Sequence, residues 1–239
     1  MSALFEELDY RITPIGAVSL RRRRELSTGV DVYEIKLGDE FLMSSQFTSS
    51  EIALSQLALA ELSGHDLDVL VGGLGLGYTS LAVLENADVS SLIVIEMLDA
   101  VIDWHQDGLL PLGKQLTTDE RCQFRQGDFF QLAIQKPGFD ISVPGRQFDA
   151  ILLDIDHSPE AFLDERSSSF YQPDSLRQLA THIKPGGVFG LWSNDKPDPA
   201  FTEILQSVFE SARAEPIVFF NPLQQTEATQ TVYLGRNAL

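Results

Sequence analysis

Only one cysteine, Cys122, occurs in 239 residues, which excludes an intramolecular disulfide and a thiolate zinc cluster and makes a reducing cytoplasm the expected location. The first ten residues have neither the basic start nor the apolar stretch of a secretory leader. Positive charge is scarce as well: 17 Lys and Arg stand against 35 Asp and Glu, a formal net charge of −18. Solubility accounts for most of that excess, but it also repels phosphate backbones and anionic lipid, so neither nucleic acid nor a membrane is an expected partner. A neutral or cationic small molecule is. No apolar run reaches the roughly 20 residues that cross a bilayer. The histidines number four, and three of them (His65, His105, His182) fall in segments that do not obviously converge. Asp154, Asp156 and His157 would therefore lack the remaining ligands of a closed metal site, and no metal is expected.

What the chain does have is 44% hydrophobic residues, enough for one α/β domain with a full core plus a small appendage. Its organising stretch is 68–96. An apolar run at 69–71 enters a glycine turn, a helix follows from Thr79 to about Glu85, and a second apolar strand at 92–95 ends on Glu96. Glycines at a strand-to-helix turn admit positive φ and let a ligand touch the main chain. A carboxylate at the tip of the next strand can accept two hydrogen bonds from a ribose diol. A dinucleotide fingerprint would need a third glycine at position 78, where Tyr78 stands. The sequence Gly73-Leu74-Gly75-Leu76-Gly77 instead follows the Gly-x-Gly-x-Gly pattern of S-adenosylmethionine enzymes.

Residues 1–47 read as β-rich, with a hairpin around 37–40; Arg21 to Arg24 read as the solvated edge of a strand. Thr48 and Glu51 have capping-box spacing ahead of a helix running to about Ser63. Past Glu96, a helix is expected at 98–105, with Trp104 and His105 at packing and surface positions. A strand near 122–125 follows, ending in Gly127-Asp128, where Asp128 is both a helix cap and a candidate adenine acceptor flanked by Phe129 or Phe130. The run 148–153 reads as a buried strand ending in Asp154-Ile155-Asp156. A helix begins at Pro173, Pro185-Gly186-Gly187 turns into a strand ending near Trp192, a helix spans about 199–212, and two strands close the chain. The count is seven strands with helices between.

With these motifs in order, the chain resembles the spermidine synthase (polyamine aminopropyltransferase) family, most strongly over 68–193. The resemblance implies an α/β, Rossmann-like class I methyltransferase fold: a seven-stranded, mostly parallel sheet with helices on both faces (48–239), preceded by a small β-hairpin region (1–47). It implies transfer of an aminopropyl or methyl group from decarboxylated S-adenosylmethionine or S-adenosylmethionine to a small cationic amine, with no metal, and is compatible with a homodimer. By the match, Gly73, Leu74, Gly75, Gly77, Glu96, Met97, Gly127, Asp128 and Phe129 hold the donor. Asp154 and Asp156 are the catalytic acids, Asp156 one position short of the family's second acid, and Asp154, Tyr171 and Trp192 meet the acceptor. The departures are Leu76 where the family has a donor-binding Asp, Trp192 for a glutamine of the amine pocket and Leu176 for an aromatic. They leave open ordinary methyl transfer and a catalytically silent nucleoside-binding protein.

Overall fold

The computed structural model describes residues 4–222 and 224–239. The central strands are continuous apolar runs that must be covered on both faces. In β5 (Leu67–Gly72), Val69 and Val71 point to one face of the sheet and Leu70 to the other; all three are fully buried. Around β5 lie β6 (Val89–Glu96), β7 (Cys122–Gln126), β8 (Phe148–Leu153), β9 (Ile183–Ser193), β10 (Ser211–Asn221) and β11 (Thr226–Arg236). The spatial order is β10-β11-β9-β8-β5-β6-β7. Pairing is parallel from β7 through β9, and β11 is antiparallel to both of its neighbours. The seven-stranded, mostly parallel sheet is therefore as expected.

Helices cover both faces. On one, α1 (Ser49–Ala60), α2 (Tyr78–Leu84), α3 (Asp99–Gln106) and α4 (Gly113–Thr118) share a core with the even side of β6 and the odd side of β5, centred on Leu54, Val83, Trp104 and Leu116. On the other, α5 (Phe129–Ile134), a 3-10 turn (Glu165–Tyr171), α6 (Pro173–Ala180) and α7 (Pro199–Gln206) close over an aromatic-rich core of Phe129, Phe139, Phe148, Phe170, Phe189 and Phe209. Trp104 and His105 are both fully buried, so His105 is no surface position.

The N-terminal region is larger than a hairpin. Four strands, β1 (Phe5–Thr13), β2 (Gly16–Arg24), β3 (Asp31–Leu37) and β4 (Glu40–Ser44), form an antiparallel sheet in sequence order. Its Val18, Leu20 and Ile35 join the α1–α4 core. The expected exposed edge at Arg21 to Arg24 is overturned: β2 is an interior strand, flanked by acid-bearing neighbours. Arg22 pairs with Glu6 at 2.6 Å, Arg23 with Glu34 at 2.6 Å and Glu25 at 3.0 Å, and Arg24 with Asp31 at 2.7 Å. The run is basic because its two partner strands are acidic. This sheet is tied to α3 by β1, where Asp9 accepts from Trp104 Nε1 at 2.7 Å and Arg11 donates to Asp103 at 2.5 Å.

Candidate active site

At a doubly wound sheet's switch point, the crevice opens beyond the carboxyl ends of the strands where the winding reverses. Here that point is β5, from which the chain winds to β6 and β7 on one side and then crosses to β8 on the other. Backbone hydrogen bonds hold the strand tips in register: Gly73 N to Ile95 O at 2.9 Å, Gly127 N to Glu96 O at 2.9 Å and Asp154 N to Gly72 O at 2.8 Å. Glu96, Asp128 and Asp154 are thereby fixed along one rim. They line a cleft enclosing about 1220 Å³ with its open mouth, closed from above by Ile15, Ile35, Leu42 and Met43 of the N-terminal sheet.

The glycine loop is shaped by what it packs on. Gly73 (φ 95°) passes so close to β8 that a Cβ would lie 2.0 Å from the Asp154 carbonyl oxygen. Gly75 (φ 46°) faces Met43, whose sulfur would meet a Cβ at 2.6 Å and accepts from Leu76 N at 2.9 Å. Gly77 (φ 93°) packs on Leu116 and His105. Of the residues singled out in the sequence, Gly73, Gly75, Met97, Gly127 and Phe129 line the cleft, whereas Leu74, Gly77 and Tyr171 do not. Leu74 contributes its amide, and Gly77 serves the packing of α2 on α4. His105 Nε2–H donates to the Gly75 carbonyl at 2.9 Å, while its buried Nδ1 has no hydrogen-bond partner among the described residues. Burial pushes its pKa down to about 4, against the bond to Gly75, so the ring is a neutral support beneath the loop.

Glu96 accepts from Leu98 N at 2.8 Å and Leu74 N at 3.0 Å. Burial raises its pKa, opposed by those amides and by Gly75 and Met97. The bonds from Leu98 and Leu74 take up two of a carboxylate's roughly four acceptor sites, so capacity remains for a ligand hydroxyl. Asp128 caps α5 by accepting from Gln131 N at 3.2 Å. Phe129 is 2% exposed and wedged under Gly72, where a Cβ would collide with its ring at 2.4 Å. Phe130, only partly buried, offers the freer ring at this end.

The two acids after β8 occupy different environments. Asp154 opens into the cleft and accepts from Thr79 Oγ1 at 2.6 Å; burial raises its pKa against that bond. Asp156 is 3% exposed and its carboxylate is taken up by Leu163 N at 2.8 Å, Ser167 Oγ at 2.9 Å and Tyr171 OH at 2.7 Å. Burial raises its pKa too, opposed by these donors. Asp156 and Tyr171 thus order residues 157–171 beside the cleft, Asp156 at its lining and Tyr171 behind it, and with its oxygens taken up Asp156 holds a supporting position. Leu76 (2% exposed) and Leu176 (fully buried) are core residues and present nothing to the cleft.

Sequence reasoning missed Glu51. It was paired with Thr48 as a capping box, yet Thr48 makes no side-chain cap bond and Glu51, 6% exposed, points into the cleft. Burial and then the charge of Asp154 raise its pKa. Among the described residues its side chain is hydrogen-bonded by the Ser50 hydroxyl at 2.7 Å, and Ser50 in turn accepts from Trp192 Nε1 at 2.8 Å. Trp192 and Glu51 also border a second cavity of about 990 Å³, by the same measure, lying between the N-terminal sheet and the end of β9. Among the described residues no cluster of His, Cys, Asp and Glu could hold a metal ion. Cys122, pushed up to about 12 by burial, is an inert thiol.

No protein-family model matches the chain. Solved structures do. A spermidine synthase in complex with the transition-state analogue AdoDATO aligns over 97% of this chain and 74% of its own, with a TM-score of 0.73 at 15% identity. The spermidine synthase of Thermotoga maritima aligns over 97% and 73%, with a TM-score of 0.69 at 15% identity. A probable spermidine synthase of Corynebacterium glutamicum aligns over 95% and 79%, with a TM-score of 0.65 at 15% identity. The coverage includes the N-terminal sheet as well as the larger one, and the chain accordingly has a spermidine-synthase-like fold.

Proposed function

We propose that the chain is a transferase that moves an aminopropyl group from decarboxylated S-adenosylmethionine to a small cationic amine. The observation that carries this reading is the charge of the cleft. Among its described lining residues are six carboxylates, Glu51, Glu96, Asp128, Asp154, Asp156 and Asp164, and one base, Arg166, which is itself bound by Asp164. Such a cavity attracts an ammonium and repels a carboxylate, so it suits a donor whose tail carries only an amine better than one that retains the methionine carboxylate. The solved neighbour holding AdoDATO supports the same reading by likeness of fold.

The donor's ribose would sit on Glu96, its adenine edge on Asp128 with Phe130 beside the ring, and its sulfonium near Gly73. Displacement at a sulfonium needs little covalent help, so alignment of nucleophile and donor supplies most of the rate. An amine arrives protonated, and Asp154 is placed to attract it and accept its proton, a gain of roughly 10²–10⁴-fold. One observation favours a second reading: Leu76 gives the donor's amino group no carboxylate from the glycine loop, which suits methyl transfer from ordinary S-adenosylmethionine. The test is turnover by wild type and Asp154→Asn with each donor and a series of diamines. The expected result is aminopropylated product, with kcat lowered roughly 10²-fold or more in the variant while donor affinity is kept. Full activity of Asp154→Asn, or reaction with anionic acceptors only, would contradict the proposal.

A further inference from the structure

Glu51 stands on the first turn of α1, at the partition shared by the two cavities. Its carboxyl is nearly enclosed, yet no Lys, Arg or His among the described residues pairs with it. Other buried carboxylates are compensated by cations or by several donors: Asp140, 1% exposed, is held by both Arg125 and Arg146, and Asp156 by Leu163 N, Ser167 and Tyr171. Around Glu51 the facing ionisable groups are Asp154 at the tip of β8, Tyr78 on α2, Arg23 and Glu34 from the N-terminal sheet, and His157 beyond β8. Arg23 is committed to Glu34, Glu25 and Gln46, and His157 faces Glu40 at 3.3 Å. Two carboxyls line one cavity with no cation paired to either among the described residues, and burying such a charge without a partner is costly. The hydroxyl of Ser50, which accepts from Trp192 Nε1 and whose single proton faces both Glu51 and Gln230 Oε1 at 2.6 Å, fixes Glu51 in that position.

We propose that Glu51 is the second carboxyl of the acceptor site, and that Glu51 and Asp154 act as one pair which binds the acceptor's ammonium and takes its proton. The inference rests on the amine-acceptor reading given above and adds to it a residue that reaches the acceptor from the second cavity. In the step, a proton passes from the ammonium to the ionised member of the pair, freeing the nitrogen lone pair. That nitrogen forms a bond to the carbon attached to the sulfonium as the carbon–sulfur bond breaks. The bonding electrons go to sulfur, which leaves as a neutral thioether, and the product nitrogen carries the positive charge.

The experiment uses the full chain as wild type, Glu51→Gln, Glu51→Asp and Asp154→Asn. Calorimetric titration with 1,4-diaminobutane is run with and without methylthioadenosine, and kcat/KM for the amine is measured across pH. Glu51→Gln is expected to bind methylthioadenosine as wild type does, to bind the diamine at least tenfold more weakly, and to lose roughly 10²-fold in kcat/KM. Its acid limb should move to lower pH, because the ionisation of Glu51, which Asp154 helps to raise, is removed and only that of Asp154 remains; Glu51→Asp should keep the limb near its wild-type position. A packing role would not move that limb. Wild-type diamine affinity and an unmoved acid limb in Glu51→Gln, beside an impaired Asp154→Asn, would overturn the proposal. Failure of methylthioadenosine to bind wild type would instead count against the donor reading, and the diamine titration alone would still decide the role of Glu51.

Discussion

A carboxyl group reports its surroundings through the stability it adds or removes. Glu51 has its pKa raised from 4.5 to about 7, by burial first and by Asp154 second. A raised acid destabilises the fold: below the ordinary carboxylate range the group is protonated in both states and adds nothing. As pH rises toward neutrality the unfolded chain ionises first, and the penalty is complete above about 7. Its ceiling is on the order of 3 kcal/mol, from about 1.4 kcal/mol per unit. Glu51→Gln is therefore expected to melt several degrees above wild type at about pH 8 and within a degree or so of it at about pH 4, read by calorimetry. Equal gains at both pH values would mean that the carboxyl is not ionising in a buried site. Glu96 makes a different prediction, since its bonds to Leu74 and Leu98 organise the loop as well as the rim. Glu96→Gln should weaken methylthioadenosine binding by about tenfold or more, as charged hydrogen bonds are worth roughly 1.5–3 kcal/mol each. Unchanged affinity would remove Glu96 from the nucleoside site.

The strand–loop–helix unit around β5 shows what is legible in sequence and what is not. Its strand tips were readable because apolar runs end abruptly on Gly72, Glu96 and Asp154, and the β8 boundaries were read to the residue. The partners of its glycines were not, because they come from elsewhere in the chain: Asp154 against Gly73, Met43 against Gly75, Leu116 against Gly77. Glu51 was misread for a related reason. A carboxylate three residues after Thr48 has the same spacing whether it turns back to cap the helix or forward into a cleft. β1 escaped notice because its acids interrupt the apolar alternation, and they make sense only beside the arginines of β2. α4 is one short turn containing two threonines and opened by glycine, with little helical signal. Two glycine substitutions should consequently differ. Gly73→Ala forces a backbone collision at positive φ and should lower Tm and abolish nucleoside binding together. Gly75→Ala meets only the flexible end of Met43, so its loss in methylthioadenosine affinity should be partly restored in the double variant with Met43→Ala. Additive losses would show that Met43 is not what Gly75 accommodates.

At the scale of the whole molecule, the net charge of −18 and the carboxylate-lined cleft act together. A field of that sign concentrates cations at the mouth and is screened by salt over about 10 Å at 0.1 M. Raising ionic strength should therefore lower kcat/KM for a diamine several-fold, mainly through KM, and leave a neutral nucleophile nearly unaffected. A salt-independent diamine reaction would reduce the acidity to a matter of solubility. The fold likeness to spermidine synthases extends over both sheets, while the departures lie at Leu76, Leu176 and Trp192. The first two are in the core, and only Trp192 borders both cavities. The central claim is that the cleft is built for a sulfonium nucleoside whose tail ends in an amine alone. Competition calorimetry against methylthioadenosine measures this most directly. The account predicts that decarboxylated S-adenosylmethionine displaces methylthioadenosine and binds at least tenfold more tightly than S-adenosylmethionine. Tighter binding of S-adenosylmethionine, or no binding of any of the three, would contradict it.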